Sequence, residues 1–321
     1  MKARVLNLAL QGGGSYGAFT WGVLDRLLED ERVEFDGLSG TSAGAMNAAL
    51  LACGLTIGGR DGARAALRRF WEGVGAMPPV ASFSFLWRFV SPYQLNPLNH
   101  NPLRELLTSQ IDFERLRNDC RLKLFVAATN VRTGMARVFR TRELSEDVLL
   151  ASACVPALHH SVSIGGDAYW DGALTANPPI RPLVYECEPR DIVVVLLQPG
   201  PRHEVPLTAE AIQSRVGEIG LSAGLFSELE GIALAKREAE RDALPVGRLA
   251  RRLRRVKLHF VSTPEALAQK SMLSRLNTES LFIHMLHDEG RKQAEAWLNE
   301  EFGAAPAVSW FAPRFATKAA D

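Results

Sequence analysis

FDGLSGTSAGAMNAALLAC, residues 35–53, is the stretch on which the fold turns. Phe35–Ser39 has the profile of a short strand, and the small residues Ala43–Cys53 suit a buried helix. Between them Gly40-Thr41-Ser42-Ala43-Gly44 matches G-x-S-x-G. A nucleophile on a sharp strand-to-helix turn adopts a strained backbone, so its neighbours two positions to either side must be small. The helix N-terminus also brings free N–H groups and positive dipole to the serine. Strand, turn and helix stand in the order the motif needs, which makes Ser42 the candidate nucleophile and Gly40 and Gly44 its supports. The competing reading is a tight turn whose serine only caps the helix.

Toward the N-terminus, Val5–Leu10 is a short apolar run ending at Gln11-Gly12-Gly13-Gly14-Ser15-Tyr16-Gly17, and a helix is expected from about Ser15 to Asp30. The run is too short for a signal peptide and reads as a first buried strand. Gly12, Gly14 and Gly17 fit the dinucleotide fingerprint G-x-G-x-x-G. The same loop can instead present backbone N–H groups to an oxyanion, glycine permitting close approach of substrate. A serine elbow fewer than about 30 residues later favours the oxyanion reading over the nucleotide one.

Beyond the elbow an amphipathic helix is expected at Asp61–Gly75, then an irregular aromatic insertion over Pro78–Pro97, and a helix at about Pro102–Gln110. Strands are expected at Leu122–Thr129, Ala136–Arg140 and Asp191–Leu197. The last contains IVVVLL, uncharged and β-branched as in a central parallel strand. A helical pattern from Thr208 to about Asp242, a strand at Lys257–Ser262 and a closing helix from Asn277 to about Glu301 complete the order, with a loose tail to Asp321. Alternating strands and helices without a linker predict one α/β domain over residues 1–321: a mostly parallel sheet between helical layers, a three-layer sandwich.

The chain has 321 residues, 47% of them apolar, and a formal charge of +1, so it has material for a large core and no global field toward nucleic acid. Cys53, Cys120, Cys154 and Cys187 form no C-x-x-C pair, which argues against a zinc site or a disulfide scaffold. The uncharged stretches Val5–Leu24 and Gly37–Gly59 are broken by glycine and polar residues, so neither reads as a membrane span. A cytoplasmic location is expected.

A serine nucleophile needs a base. A histidine-dependent triad would place it late in the chain, at His259 or His284, but neither sits in a catalytic-looking loop. Asp171, in Tyr169-Trp170-Asp171-Gly172-Ala173, follows a short apolar strand and projects toward a loop. On composition alone, Asp-Gly is more simply a turn.

QGGGSYG, GTSAG and DGA, in that order, resemble the signatures of the patatin-like phospholipases. Ala128-Thr129-Asn130 with Thr133-Gly134, Ala151-Ser152-Ala153 with Pro156, and Asn177-Pro178 extend the resemblance over about residues 5–200. It implies a Ser–Asp dyad, with Ser42 as nucleophile and Asp171 as base, Gly172 following it. It also implies an oxyanion hole around Gly12, Gly13 and Gly14, supported by Gly17, and acyl-ester hydrolysis with no metal and no cofactor. Where many members carry Asp before the triple glycine and a cation after it, this chain has Gln11 and Ser15. Head-group preference is therefore left open.

The expected activity is hydrolysis of fatty-acyl esters of phospholipids or lysophospholipids. Alternatives are a carboxylesterase, thioesterase or acyltransferase using the same dyad, or a non-catalytic lipid-binding protein. The expected partners are an acyl-ester substrate and a peripheral membrane surface. The aromatic segment Phe83–Tyr93 reads either as a lid or as core. Arg248, Arg251, Arg252, Arg254, Arg255 and Lys257 read either as an attractor for anionic lipid or as a solvated helix end. Residues 201–321 carry no usable motif.

Overall fold

The computed structural model describes residues 3–77, 90–188, 190–198, 205–241, 247–268 and 272–302. In chain order its elements are β1 (Arg4–Leu10), α1 (Gly17–Glu29), β2 (Val33–Thr41), α2 (Ala43–Gly75), α3 (Pro92–Leu95), α4 (Pro102–Thr108), α5 (Phe113–Asn118), β3 (Lys123–Asn130), β4 (Ala136–Arg140), α6 (Glu146–Ser152), β5 (Val162–Ile164), β6 (Asp167–Asp171), α7 (Arg181–Glu186), β7 (Asp191–Leu196), α8 (Ala209–Arg241), α9 (Arg248–Arg255), β8 (Lys257–Ser262), α10 (Glu265–Ala268) and α11 (Ser280–Phe302). The expected strands β1, β2, β3, β4, β7 and β8 are all present, with small differences at their ends.

Among the described residues eight strands form one sheet in the order β5-β6-β3-β2-β1-β7-β8, with β4 also paired to β3. The five strands β3, β2, β1, β7 and β8 run parallel, while β4 and β6 pair antiparallel with β3, and β5 antiparallel with β6. Strand β7 shows why the sheet is central. Val193, Val195 and Leu197 pack into the core formed with α1, α2, α6 and α11, while Ile192, Val194 and Leu196 pack into a second core with α7, α8 and α9. A strand buried on both faces has no polar alternation, and this is why its sequence is a continuous apolar run. The fold is α/β, a mostly parallel mixed sheet flanked by helices.

The two helices expected at Ala43–Cys53 and Asp61–Gly75 are consecutive halves of α2, broken where Gly58 and Gly59 leave helical geometry, Gly59 at φ +62°. Trp71 Nε1 donates to Asn47 Oδ1 at 2.9 Å, and Asn47 Nδ2 donates to the Gly17 carbonyl at 2.9 Å. One buried asparagine thus ties both halves of α2 to the start of α1. The closing helix α11 lies along α1, where Gly22 and Gly290 let the backbones approach: a Cβ on Gly22 would stand 1.9 Å from the His287 carbonyl oxygen. Most of the aromatic insertion, residues 78–89, and the tail, residues 303–321, lie outside the described residues. Of its remainder, Pro92–Leu95 is a single helical turn, and Tyr93 stacks on His160 with ring centroids 4.0 Å apart.

Candidate active site

Parallel strands end together, and their C-terminal edge gathers the loops. In register, Leu10 of β1 lies beside Gly40 of β2, Thr41 beside Ala127 of β3, and Ala128 beside Asp171 at the end of β6. The glycine loop, the serine turn and the aspartate therefore meet at one edge, although they are separated in sequence by up to 160 residues. Asp171 is the last residue of β6 rather than the first beyond it.

Ser42 sits between β2 and α2 at φ 54°, ψ −125°, a left-handed region that a side chain other than glycine rarely adopts. This strain, on the order of 1–3 kcal/mol, turns the hydroxyl outward from the sheet edge. The surroundings hold it there. The Ser42 N–H donates to Ser152 Oγ at 2.9 Å, the Ser152 hydroxyl donates to the Ala127 carbonyl at 2.7 Å, and the Thr41 hydroxyl donates to the Ala176 carbonyl at 2.7 Å. A Cβ on Gly44 would lie 2.0 Å from the Leu10 carbonyl oxygen, and one on Gly40 would lie 2.5 Å from that of Gly44. The motif's glycines are thus required by backbone proximity.

Asp171 is held as firmly. Its N–H donates to the Cys154 carbonyl at 2.8 Å, its carbonyl accepts from the Thr129 hydroxyl at 2.8 Å, and its carboxylate accepts the Ala173 N–H at 2.8 Å. Behind it, a Cβ on Gly172 would stand 2.2 Å from the Ala127 carbonyl oxygen. Burial pushes the Asp171 carboxyl up to about 7; the Ala173 N–H and a hydrogen-bonding contact with the Ser42 side chain partly oppose the shift. Ser42 and Asp171 are therefore brought together. His259 is bound to Asp191 at 2.8 Å, where β7 begins, and His284 contacts its own helix at Ser280. Neither histidine is among the groups that shift Asp171.

The glycine loop divides its N–H groups. Gly12 N–H is taken by Asn177 Oδ1 at 2.7 Å, so this residue anchors the loop, while the Gly13 and Gly14 N–H groups find no acceptor among the described residues. Gly12 also packs against the elbow, since a Cβ there would approach the Thr41 carbonyl oxygen to 2.6 Å and Ser42 Cβ to 2.9 Å. Gly14 is at φ +60°, and Gly17 faces Ala43 and the Trp71 ring without room for a side chain. Gln11 is structural: its side-chain oxygen accepts the Leu197 and Gln198 N–H groups at 2.7 and 3.1 Å.

Arg275 was not legible from the sequence. It comes from a turn at Met272–Leu276, and its carbonyl oxygen would stand 2.3 Å from a Cβ on Gly14, its Nη1 3.4 Å from one on Gly13. The guanidinium lies over the Tyr16 ring, 5.7 Å from its centroid, and burial lowers its pKa. The Ser15 hydroxyl donates to the Ser274 carbonyl at 3.1 Å, and the Tyr16 hydroxyl donates to that of Leu267 at 2.9 Å. A segment without any motif thus straps the glycine loop and brings a cation to it, where Ser15 had suggested none.

Among the described residues no helix is long and apolar enough to cross a membrane, and no three His, Cys, Asp or Glu side chains cluster as metal ligands.

The family model for the patatin-like phospholipases matches residues 8–184. A cGAMP-activated phospholipase of Vibrio cholerae is 30% identical over 208 residues, 56% of each chain. A second protein of that name from Escherichia coli is 29% identical over 205 residues, 56% of this chain and 54% of its own. The chain thus spans about half the length of these relatives. The solved structure of VipD from Legionella pneumophila superposes with a TM-score of 0.47 at 18% identity, covering 93% of this chain and 67% of that one. The chain belongs to the patatin-like phospholipase family.

Proposed function

We propose that this patatin-like chain is a lipid acyl hydrolase that cleaves fatty-acyl esters of phospholipids or lysophospholipids through a Ser42–Asp171 dyad. One observation carries the reading. A serine hydroxyl held at φ 54° at the head of a helix contacts a buried carboxylate, and that burial pushes its pKa up to about 7. A carboxylate with an ordinary pKa is a poor base for a serine hydroxyl, and one near neutrality is better matched to proton transfer at working pH.

In the proposed reaction Ser42 Oγ attacks the acyl carbonyl as Asp171 takes its proton. The oxyanion forms beside the Gly13 and Gly14 N–H groups, with the Ala43 N–H at the start of α2 as a further donor. Each such donor contributes about 3 kcal/mol of transition-state stabilisation. Asp171 returns the proton to the leaving alcohol, then deprotonates the water that attacks the acyl-enzyme and hands that proton to Ser42 Oγ as the fatty acid leaves. The Gln11 side-chain oxygen, which accepts two N–H groups, and the Asn177–Gly12 bond hold the donors before substrate arrives, which is what preorganised stabilisation requires.

A fluorophosphonate probe followed by peptide mass mapping tests the nucleophile. Labelling of Ser42 in the parent, abolished in Ser42→Ala, supports the assignment. Labelling of another serine, or none, counts against it. Fatty-acid release from mixed-micelle phospholipid, compared with a soluble short-chain ester, separates a phospholipase from a general esterase.

A further inference from the structure

Helix α9 reads RLARRLRR, and Arg248, Arg251, Arg252 and Arg255 follow the i, i+3, i+4, i+7 spacing that usually carries an apolar stripe. The helix therefore has an arginine face, with Leu253 buried on the opposite side. That face lines a cavity of about 360 Å³ with Arg190 and Glu188, so five guanidinium groups meet one carboxylate. Placing like charges four residues apart on a helix is unfavourable by a few tenths of a kcal/mol per pair.

The carboxylates nearby do not neutralise the group. Glu188 binds Arg252 at 2.8 Å and lies 3.7 Å from Arg248. Glu186 is bound to Arg140 and Asp36 to Lys123. Among the described residues the side chains of Arg190 and Arg255 have no ion-pair partner, and Arg251 reaches only the Gly247 carbonyl at 3.2 Å. Arg252 is anchored by the Val184 and Tyr185 carbonyls, so it builds the wall. Arg190, Arg251 and Arg255 are left to the cavity, beside Arg248, which shares Glu188 with Arg252, and with Val184 and Val256 as apolar parts of its lining.

We propose that this cavity is a binding site for a soluble anion carrying two or more phosphoryl groups. Planar guanidinium forks match phosphoryl oxygens in pairs, which explains arginine rather than lysine at every basic position of the lining. Position argues for a soluble ligand over a bilayer. Arg190 and Val256 immediately precede β7 and β8, so the cavity lies at the N-terminal edge of the parallel strands, and Ser42 lies at the C-terminal edge. The length of β7, about 20 Å at 3.3 Å per residue, separates the two edges. A membrane serving Ser42 would face away from the arginines.

The probe is inorganic pyrophosphate, titrated calorimetrically into the full chain at low ionic strength. Saturable binding is expected, weakened at least tenfold in Arg251→Gln/Arg255→Gln, whose exposed side chains do not hold the fold. A charge-matched control, Arg68→Gln/Arg69→Gln on α2, should bind as the parent does. Absence of saturable binding in the parent, or equal loss in the control, overturns the proposal. So does binding to phosphatidylserine vesicles that needs Arg251 and Arg255 but is not displaced by pyrophosphate, which would assign the face to lipid. None of these outcomes depends on Ser42, so the site stands or falls apart from the proposed hydrolysis.

Discussion

The Ser152 hydroxyl accepts the Ser42 N–H at 2.9 Å and donates to the Ala127 carbonyl at 2.7 Å, so α6 fixes the serine turn to β3. The serine of Ala151-Ser152-Ala153 thus acts mechanically, satisfying a buried N–H that the strained φ of Ser42 removes from any regular ladder. Ser152→Ala leaves that donor without a partner and should lower kcat by about tenfold with little change in KM, since the defect is in the placement of Oγ. Steady-state kinetics on one ester substrate check this. A change confined to KM would contradict it.

The raised pKa of Asp171 predicts opposite effects on activity and stability. As the proposed base it must be ionised, so kcat/KM should rise with pH through about 7. The folded protein binds this proton more tightly than the unfolded chain, whose carboxyl titrates near 3.8, so the stability contributed by the neutral acid is full below about pH 4 and lost as pH rises through about 7. Asp171→Asn should therefore be inactive, yet melt higher than the parent at pH 8. The difference should vanish at pH 4. Equal melting temperatures at pH 8 would argue against a strained, buried carboxylate.

Gly44→Ala would drive a methyl group to 2.0 Å from the Leu10 carbonyl oxygen, against backbone that cannot yield cheaply. A loss of more than about 3 kcal/mol in unfolding free energy is expected, as for other overpacked sites at the upper end of their range. Gly220→Ala, where a Cβ meets nothing within 4 Å, is the control and should cost nothing by chemical denaturation.

Arg275→Gln removes the cation beside Gly13 while keeping a side chain that can hydrogen-bond. If the guanidinium attracts an anionic head group, kcat/KM should fall about tenfold more for a phospholipid than for a neutral short-chain ester. An equal fall on both substrates would reduce Arg275 to a strap for the glycine loop.

The mostly parallel sheet, the elbow and the glycine loop were legible because each rests on a local pattern: the β7 run, the G-x-S-x-G turn, the triple glycine. The strand order was not, and Asp171 stood out only through the family resemblance, since Asp-Gly alone reads as a turn. The short helices α5, α6 and α7 were not, since six or seven residues complete fewer than two turns and give no periodicity. Two of them did carry a signal in their caps, where the Asp112 and Ser145 side chains accept the Arg115 and Val148 N–H groups. Helix α9 read only as a lipid attractor or a solvated helix end, because its exposed face is charged where an apolar stripe would have marked a helix of its own. Asn177 and Ser152 stood in recognisable segments, but their partners are 165 and 110 residues away. Arg275 lies further still from the loop it serves, and no local pattern announces such a contact.

The most direct test is fatty-acid release from mixed-micelle phospholipid by the parent, Ser42→Ala and Asp171→Asn, each verified as folded. The dyad predicts turnover by the parent and a loss of at least about 1,000-fold in both variants, as expected when a nucleophile or its base is removed. Turnover in Asp171→Asn within a few-fold of the parent would contradict it.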